Sequence, residues 1–318
     1  MIPRDILRRS CAILRRSFFD PARVSGAASY TGLLDRLAPL LFVFLWSTGF
    51  IGAKFGLPHA EPLSFLLVRY LAVITLMATL AVVSGARWPA NSRTWAHLAV
   101  AGLLVHAVYL GGVFVAISRG LPAGITSLVV GLQPILAAVG AGALLGERVS
   151  ARQWLGLGLG FAGITLVLSA KVTLSAAASV GSSVLPALVA LAGITAGTLY
   201  QKRFCPAFDL RTGAVIQFTS AAIVTLPVAL ATESLRIDWT GEFLFALGWL
   251  VLVLSLGAIT LLNVLIRRGT AVAVARLFFL VPATTALLAF ALFGETLSAR
   301  ALVGMGLAVT GVYLARGR

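Results

Sequence analysis

The chain has 318 residues, 59% of them hydrophobic and 11% charged, with a mean hydropathy of +1.01. A composition this apolar excludes a water-soluble globular domain and makes lipid the solvent for most of the chain. The formal charge of +15 is therefore read as cytoplasmic loops that hold the chain's orientation, not as a nucleic-acid footprint.

Residues 1–36 are Arg-rich, and their short apolar stretch is broken by Arg15 and Arg16. No signal-peptide core is present, and a basic, disordered or surface-lying cytoplasmic extension is expected. A helix that crosses a bilayer needs about 20 mostly apolar residues, because lipid leaves backbone groups no partner outside the helix. Ten windows qualify: 37–56, 63–84, 94–117, 122–145 and 153–170, then 184–204, 212–231, 243–266, 271–293 and 300–315. Only 172–183 is slack enough for a linker, which divides the membrane region into 37–171 and 184–318. With the N-terminus inside, about 18 cations fall on the cytoplasmic side and about 5 on the other, a wide margin for the positive-inside rule. Both termini are then cytoplasmic.

The two halves are copies. Gly146, Glu147, Ser150 and Arg152 recur as Gly294, Glu295, Ser298 and Arg300, shifted by 148 positions. The same shift carries Pro134 to Pro282, Gly156 to Gly304, Gly163 to Gly311 and Lys54 to Lys202. A constant offset over most of a chain marks an internal repeat. Five spans per copy is an odd number, so the second copy lies upside down relative to the first. The expected fold is an all-α membrane protein of ten transmembrane helices in two inverted five-helix repeats, an architecture recurrent among secondary transporters.

At this point the residues resemble a known family. Trp46 to Lys54 and Phe65 to Tyr70 resemble the opening spans of the EamA domain. Leu121 to Gly124, through Pro134 to Glu147, is similar to its closing pair of helices, and 280–316 is similar to a second copy. The resemblance covers roughly residues 37–316. It implies the ten-span branch of the drug/metabolite transporter superfamily, whose members mostly export small metabolites, amino acids or toxic compounds across the bacterial inner membrane. Two other classes stay open: a membrane-embedded enzyme acting on a lipid-linked substrate, and a non-transporting sensor or assembly partner.

Polar groups inside spans are costly and mark candidate sites. Arg69 lies about a third of the way into the second span. It fits a cavity cation that binds a carboxylate or phosphate by paired hydrogen bonds. It fits equally a snorkelling side chain, or a partner of Glu61. Gln217 is its repeat-mate, so the halves present a cation and an amide at matched positions. His106 and Tyr109, three apart in the third span, are expected on one helical face. Gln133 and Asn263 are further candidate wall residues, and Trp46 and Tyr200 are aromatics of the repeat-related first and sixth spans. Arg276, near the start of the ninth span, is expected to snorkel.

Pro134 and Pro282 each remove a backbone hydrogen bond inside a span and are expected to kink it at matched positions. The Gly-Glu…Ser-x-Arg blocks read as turns. Gly146 and Gly294 suit the left-handed residue that ends a helix, and Ser150 and Ser298 suit N-caps, Ser150 in a capping box with Gln153. Glu147 is expected to face Arg152, and Glu295 to face Arg300. Gly156, Gly160 and Gly163, with Gly304 and Gly311, form small faces for close helix approach, within the bundle or between subunits. Monomer and homodimer both remain open.

No Asp or Glu falls inside any span. Proton exchange on a membrane carboxylate has no candidate group, and His106 is the only obvious titrating side chain left. Cys11 and Cys205 show neither disulfide nor metal spacing, and no phosphate-cradling loop is present. No cofactor or metal is expected; the expected partners are a small-molecule substrate and the bilayer.

Overall fold

The computed structural model describes residues 31–121, 123–169, 181–293 and 298–315. Gly294 and Glu295, most of the basic N-terminal segment and most of the linker lie outside the described residues. The described chain is helical, with one isolated antiparallel bridge between Ala60 and Ile237.

In chain order the helices are α1 (Thr31–Gly56), α2 (Pro62–Val83), α3 (Ser92–Ser118), α4 (Ala123–Val130), α5 (Gln133–Leu145) and α6 (Ala151–Ser169). There follow α7 (Gly181–Phe204), α8 (Leu210–Thr232), α9 (Gly241–Arg268), α10 (Ala271–Ala275), α11 (Leu280–Phe293) and α12 (Ala299–Leu314). Six of them, α1 to α3 and α7 to α9, are long and apolar enough to cross a membrane. Helix α1 starts at Thr31, ahead of its apolar window. Helical hydrogen bonding needs no lipid, so it runs on past the hydrophobic stretch.

The helix ends follow from their cap residues. Asn91 Oδ1 accepts from Thr94 N at 2.7 Å, Thr240 Oγ1 from Phe243 N at 3.2 Å, and Ser298 Oγ from Ala301 N at 3.2 Å. Each satisfies an amide that the first helical turn leaves free. Gly146 ends α5 with φ of 67°, the left-handed backbone that glycine adopts without strain. Ser150 N donates to Gln153 Oε1 at 2.9 Å, and Gln153 N donates back to Ser150 Oγ at 3.3 Å, which completes the capping box.

The helix contacts come in repeat-related pairs. Helix α1 packs on α9 as α7 packs on α3, and α1 on α11 as α7 packs on α4 and α5. Repeat-mates meet each other directly in α2 with α8 and α6 with α12. Both self-pairs are antiparallel. At the start of α2, Leu63 N and Ser64 N donate to the Glu233 carboxylate beyond the end of α8 (2.8 and 2.7 Å). At the start of α8, Arg211 Nη1 donates to Ser84 Oγ beyond the end of α2 (2.5 Å), and Thr212 Oγ1 to Arg87 O (3.1 Å). Residues 63 and 64 are the repeat-mates of 211 and 212.

The α6–α12 contact rests on glycine. A Cβ added at Gly156 would lie 2.5 Å from Ala315 N, and one at Gly163 would lie 2.5 Å from both Ala308 N and Gly304 O. The two backbones touch where side chains would hold them apart. These small faces therefore serve packing within the bundle.

Candidate functional site

Two matched interruptions shape the interior. Helix α3 switches to wider π-type hydrogen bonding over Leu103–Leu110, and α9 does so over Leu250–Ala258. The repeat offset superposes these segments almost residue for residue. π-Segments leave backbone carbonyls displaced from regular α spacing and occur often at functional sites. Here the displaced groups are used: His106 O accepts from Tyr70 Oη at 2.7 Å, and Leu250 O accepts from Ser255 Oγ at 3.0 Å.

Beside the α9 π-segment lies Arg69, with no exposed surface. Its Nε and Nη2 donate to Ser255 Oγ at 3.2 and 3.1 Å. Its Nη1 is buried without a hydrogen-bond partner. The alternatives of snorkelling and of a Glu61 pair both fall. Arg69 does not reach a surface, and Glu61 instead accepts from Ser234 N and Oγ at 2.7 and 2.8 Å.

Arg69 is part of the wall of a cavity shared with Trp46, Gly49 and Phe50 of α1, Tyr109 and Phe114 of α3, and Leu254 of α9. Trp46 and Tyr109 stack with centroids 6.1 Å apart and planes 13° from parallel, and Phe278 meets Trp46 edge-on at 5.3 Å. The cavity volume is about 30 Å³, room for two or three waters at roughly 10–15 Å³ each by this measure. A metabolite requires the walls to part.

His106 does not share Tyr109's face. Its ring stacks on Phe218 of α8 at 4.0 Å and 18°, while Tyr109 turns to Trp46 of α1. The wider π-turn rotates residues three apart away from each other, which α-helical spacing did not anticipate. Neither ring nitrogen of His106 has a hydrogen-bond partner.

Gln217 and Asn263 belong to a second buried cluster, joined through Gln201 of α7. Gln217 Nε2 donates to Gln201 Oε1 at 3.2 Å, and Gln201 Nε2 donates to Asn263 Oδ1 at 2.6 Å. All three are at most 4% exposed. The next residue, Lys202, ties α7 to the end of α9 by donating to Ile266 O at 2.8 Å and Gly269 O at 2.5 Å. Gln133 lies apart, between α5 and α7, where its Nε2 meets Thr198 Oγ1 at 3.4 Å. Tyr200 joins neither cluster. It is only partly buried, and its hydroxyl bonds His97 Nδ1 at 2.7 Å.

The prolines sit where the helical hydrogen bonding changes type. Pro134 sits in the first turn of α5, just after the interruption at 131–132, and Pro282 lies just beyond the 3-10 turn Arg276–Phe279. A first-turn proline gives up an amide that has no helical partner in any case. Arg276 is partly buried, and its Nη1 donates to Ala315 O at 2.9 Å, at the end of α12. Glu147 accepts from Ala271 N at 3.1 Å, at the start of α10. That carboxylate caps another helix, a contact invisible to a reading confined to its own turn.

Ser255 and Gln201 escaped the sequence reading. A lone serine or glutamine in an apolar run is not distinctive, though the repeat offset places Ser255 in the register of the His106 segment. What the arrangement can do chemically is hold an anion: a buried guanidinium with a spare donor, among aromatic rings, between the two halves.

The comparisons agree with the fold. The EamA-like transporter family matches residues 36–169 and again 181–317. The protein belongs to that family. It is 29% identical over 280 residues to "Uncharacterized transporter YvbV" of Bacillus subtilis, covering 86% of this chain and 88% of that one. It is 28% identical over 291 residues to a "Probable amino-acid metabolite efflux pump" of Salmonella typhimurium, covering 88% and 94%. A solved structure described only as "Crystal structure of protein" superposes with a TM-score of 0.72 at 19% identity, over 88% of this chain and 95% of the other. That likeness concerns the fold alone.

Proposed function

We propose that this membrane transporter is a secondary carrier of the bacterial inner membrane. It exports a small organic metabolite of the amino-acid class by alternating access. The observation that carries this reading is Arg69: fully buried, free of any carboxylate partner among the described residues, and facing an aromatic cavity between the halves with Nη1 unused. A buried cation is expensive unless it is paired. A substrate carboxylate offers the missing partner, in a charge-assisted bond. The apolar remainder of the substrate rests against Trp46 and Tyr109. The name of the Salmonella relative supports the amino-acid class, and a relative named "Uncharacterized inner membrane transporter YedA" supports the inner membrane.

In this reading the chain makes ten spans in two inverted repeats, 37–171 and 184–318, joined by 172–183, with both termini cytoplasmic. The antiparallel self-pairs α2–α8 and α6–α12 support the inversion, because repeat-mates that run opposite ways belong to copies of opposite topology. The matched π-segments and matched breaks before Pro134 and Pro282 supply bending points in each copy. His106, Gln133, Gln217 and Asn263 are wall residues of the path that opens when the packing switches; Tyr200 lies away from it.

Cysteine labelling in oriented vesicles tests the topology: Ser150→Cys reacts from the cytoplasmic side and Ser298→Cys from the opposite side. The same side for both overturns the inversion. Efflux of a panel of radiolabelled amino acids from inside-loaded vesicles tests the site, with Arg69→Ala expected to abolish flux in a protein that still inserts and folds.

A further inference from the structure

The central cavity holds a charge problem that substrate solves only while substrate is bound. Arg69 stays protonated in any protein environment. In this conformation it has Ser255 Oγ on Nε and Nη2 and nothing on Nη1. The acids whose side chains are described, Glu61, Glu147, Asp209, Glu233, Asp238 and Glu242, all lie outside the hydrophobic stretches of the spans, and Glu61, Glu147, Asp209, Glu233 and Glu242 bond loop or helix-end groups. Ser255 supplies a dipole, not a charge, and its own proton goes to Leu250 O. The cavity is too small for a metabolite, yet it has the room of about two or three waters.

From these observations we infer that the Arg69 cavity is also a site for a small inorganic anion of the chloride class, bound between transport steps and displaced by the substrate carboxylate. The inference rests on the proposed role of the cavity and adds a second ligand to it. The guanidinium Nη1 donates to the ion, and the small space beside Trp46 and Tyr109 suits a monatomic anion. The substrate then enters by exchange of one negative group for another, and the guanidinium keeps a counter-ion throughout the cycle.

Thermal unfolding of the purified full chain, without substrate, in potassium chloride and in potassium gluconate at equal ionic strength tests this. Mass action predicts a melting temperature that rises with chloride concentration in the wild type, and no such rise in Arg69→Gln. Equal melting in both salts, or a chloride effect that survives in Arg69→Gln, overturns the anion site. If Arg69→Gln does not fold, equilibrium dialysis of the wild type against radiolabelled chloride replaces it. Saturable binding of one ion per chain is expected, and no saturable binding overturns the proposal. The two readings of the cavity also fail separately. Loss of amino-acid flux in Arg69→Gln without any chloride effect removes the anion and keeps the carboxylate site. Chloride binding through Arg69 with intact flux keeps the anion and removes the substrate from Arg69.

Discussion

Positions 69 and 217 are equivalent in the repeat, and the two halves treat them in opposite ways. Arg69 lines a cavity with one guanidinium nitrogen unused and the other two on a single serine. Gln217 faces Gln201, which in turn holds Asn263, so three helices close over a chain of amides. The repeat-mate of Gln201 is Ala53 and that of Asn263 is Val115. The Arg69 half therefore has no amides with which to build the same ladder. One copy keeps a buried charge with an unused nitrogen, and the other a satisfied polar bolt. The backbone scheme is duplicated, and the chemistry is divided between the copies.

The widest separation is expected in transport itself. Arg69→Ala abolishes efflux of the radiolabelled amino-acid panel, whereas Gln217→Ala leaves measurable flux with altered rate. Equal loss in both would erase the distinction between the two positions. Next comes stability. Gln201→Leu strands Gln217 Nε2 and Asn263 Oδ1, each at a cost of about 1–3 kcal/mol for a buried group left unpaired. A clear fall in melting temperature in detergent is expected, and an unchanged one would mean that the ladder contributes nothing.

Ser255→Ala is a smaller perturbation on the Arg69 side. It frees two further guanidinium donors, so substrate affinity should shift while maximal flux is retained; unchanged KM would show that Ser255 does not position Arg69. The smallest effect lies at the helix ends. Burial raises the Asp209 carboxyl, but hydrogen bonds from the Arg211 side chain and backbone outweigh this and hold it below the usual carboxylate range. The stability it adds is complete above the ordinary carboxyl pKa and is lost as pH falls through the lowered one. Asp209→Asn should therefore melt slightly below wild type at neutral pH, with the gap closing in acid; a gap that widens in acid contradicts the assignment. At the matching end, α2 takes its cap from Glu233 of the other copy.

The legible parts of this protein were those that depend on short stretches of chain. The capping box at Ser150, the left-handed Gly146 and the candidate cation Arg69 each follow from residue type and local spacing. The EamA resemblance was likewise written in the order of short motifs. Less local features were missed for identifiable reasons. His106 and Tyr109 parted because π-type hydrogen bonding changed the angle per residue. Pro134 and Pro282 sit where the helical hydrogen bonding changes type, at 131–132 and after the 3-10 turn Arg276–Phe279, a change that residue spacing does not announce. Glu147 found Ala271, and Arg276 found Ala315, across contacts with no sequence signature.

The sequence by itself determined that the chain lives in lipid, that it is a helical duplication, and that no acidic residue lies within the spans to pair with Arg69. Those facts follow from hydropathy, from a constant offset and from a census of charges, none of which needs coordinates. Only the tertiary structure decided that Arg69 meets Trp46 and Tyr109 while Gln217 meets Gln201 and Asn263. Which side chains face each other depends on helix rotation and on close backbone approach, and both are set by packing between segments far apart in the chain.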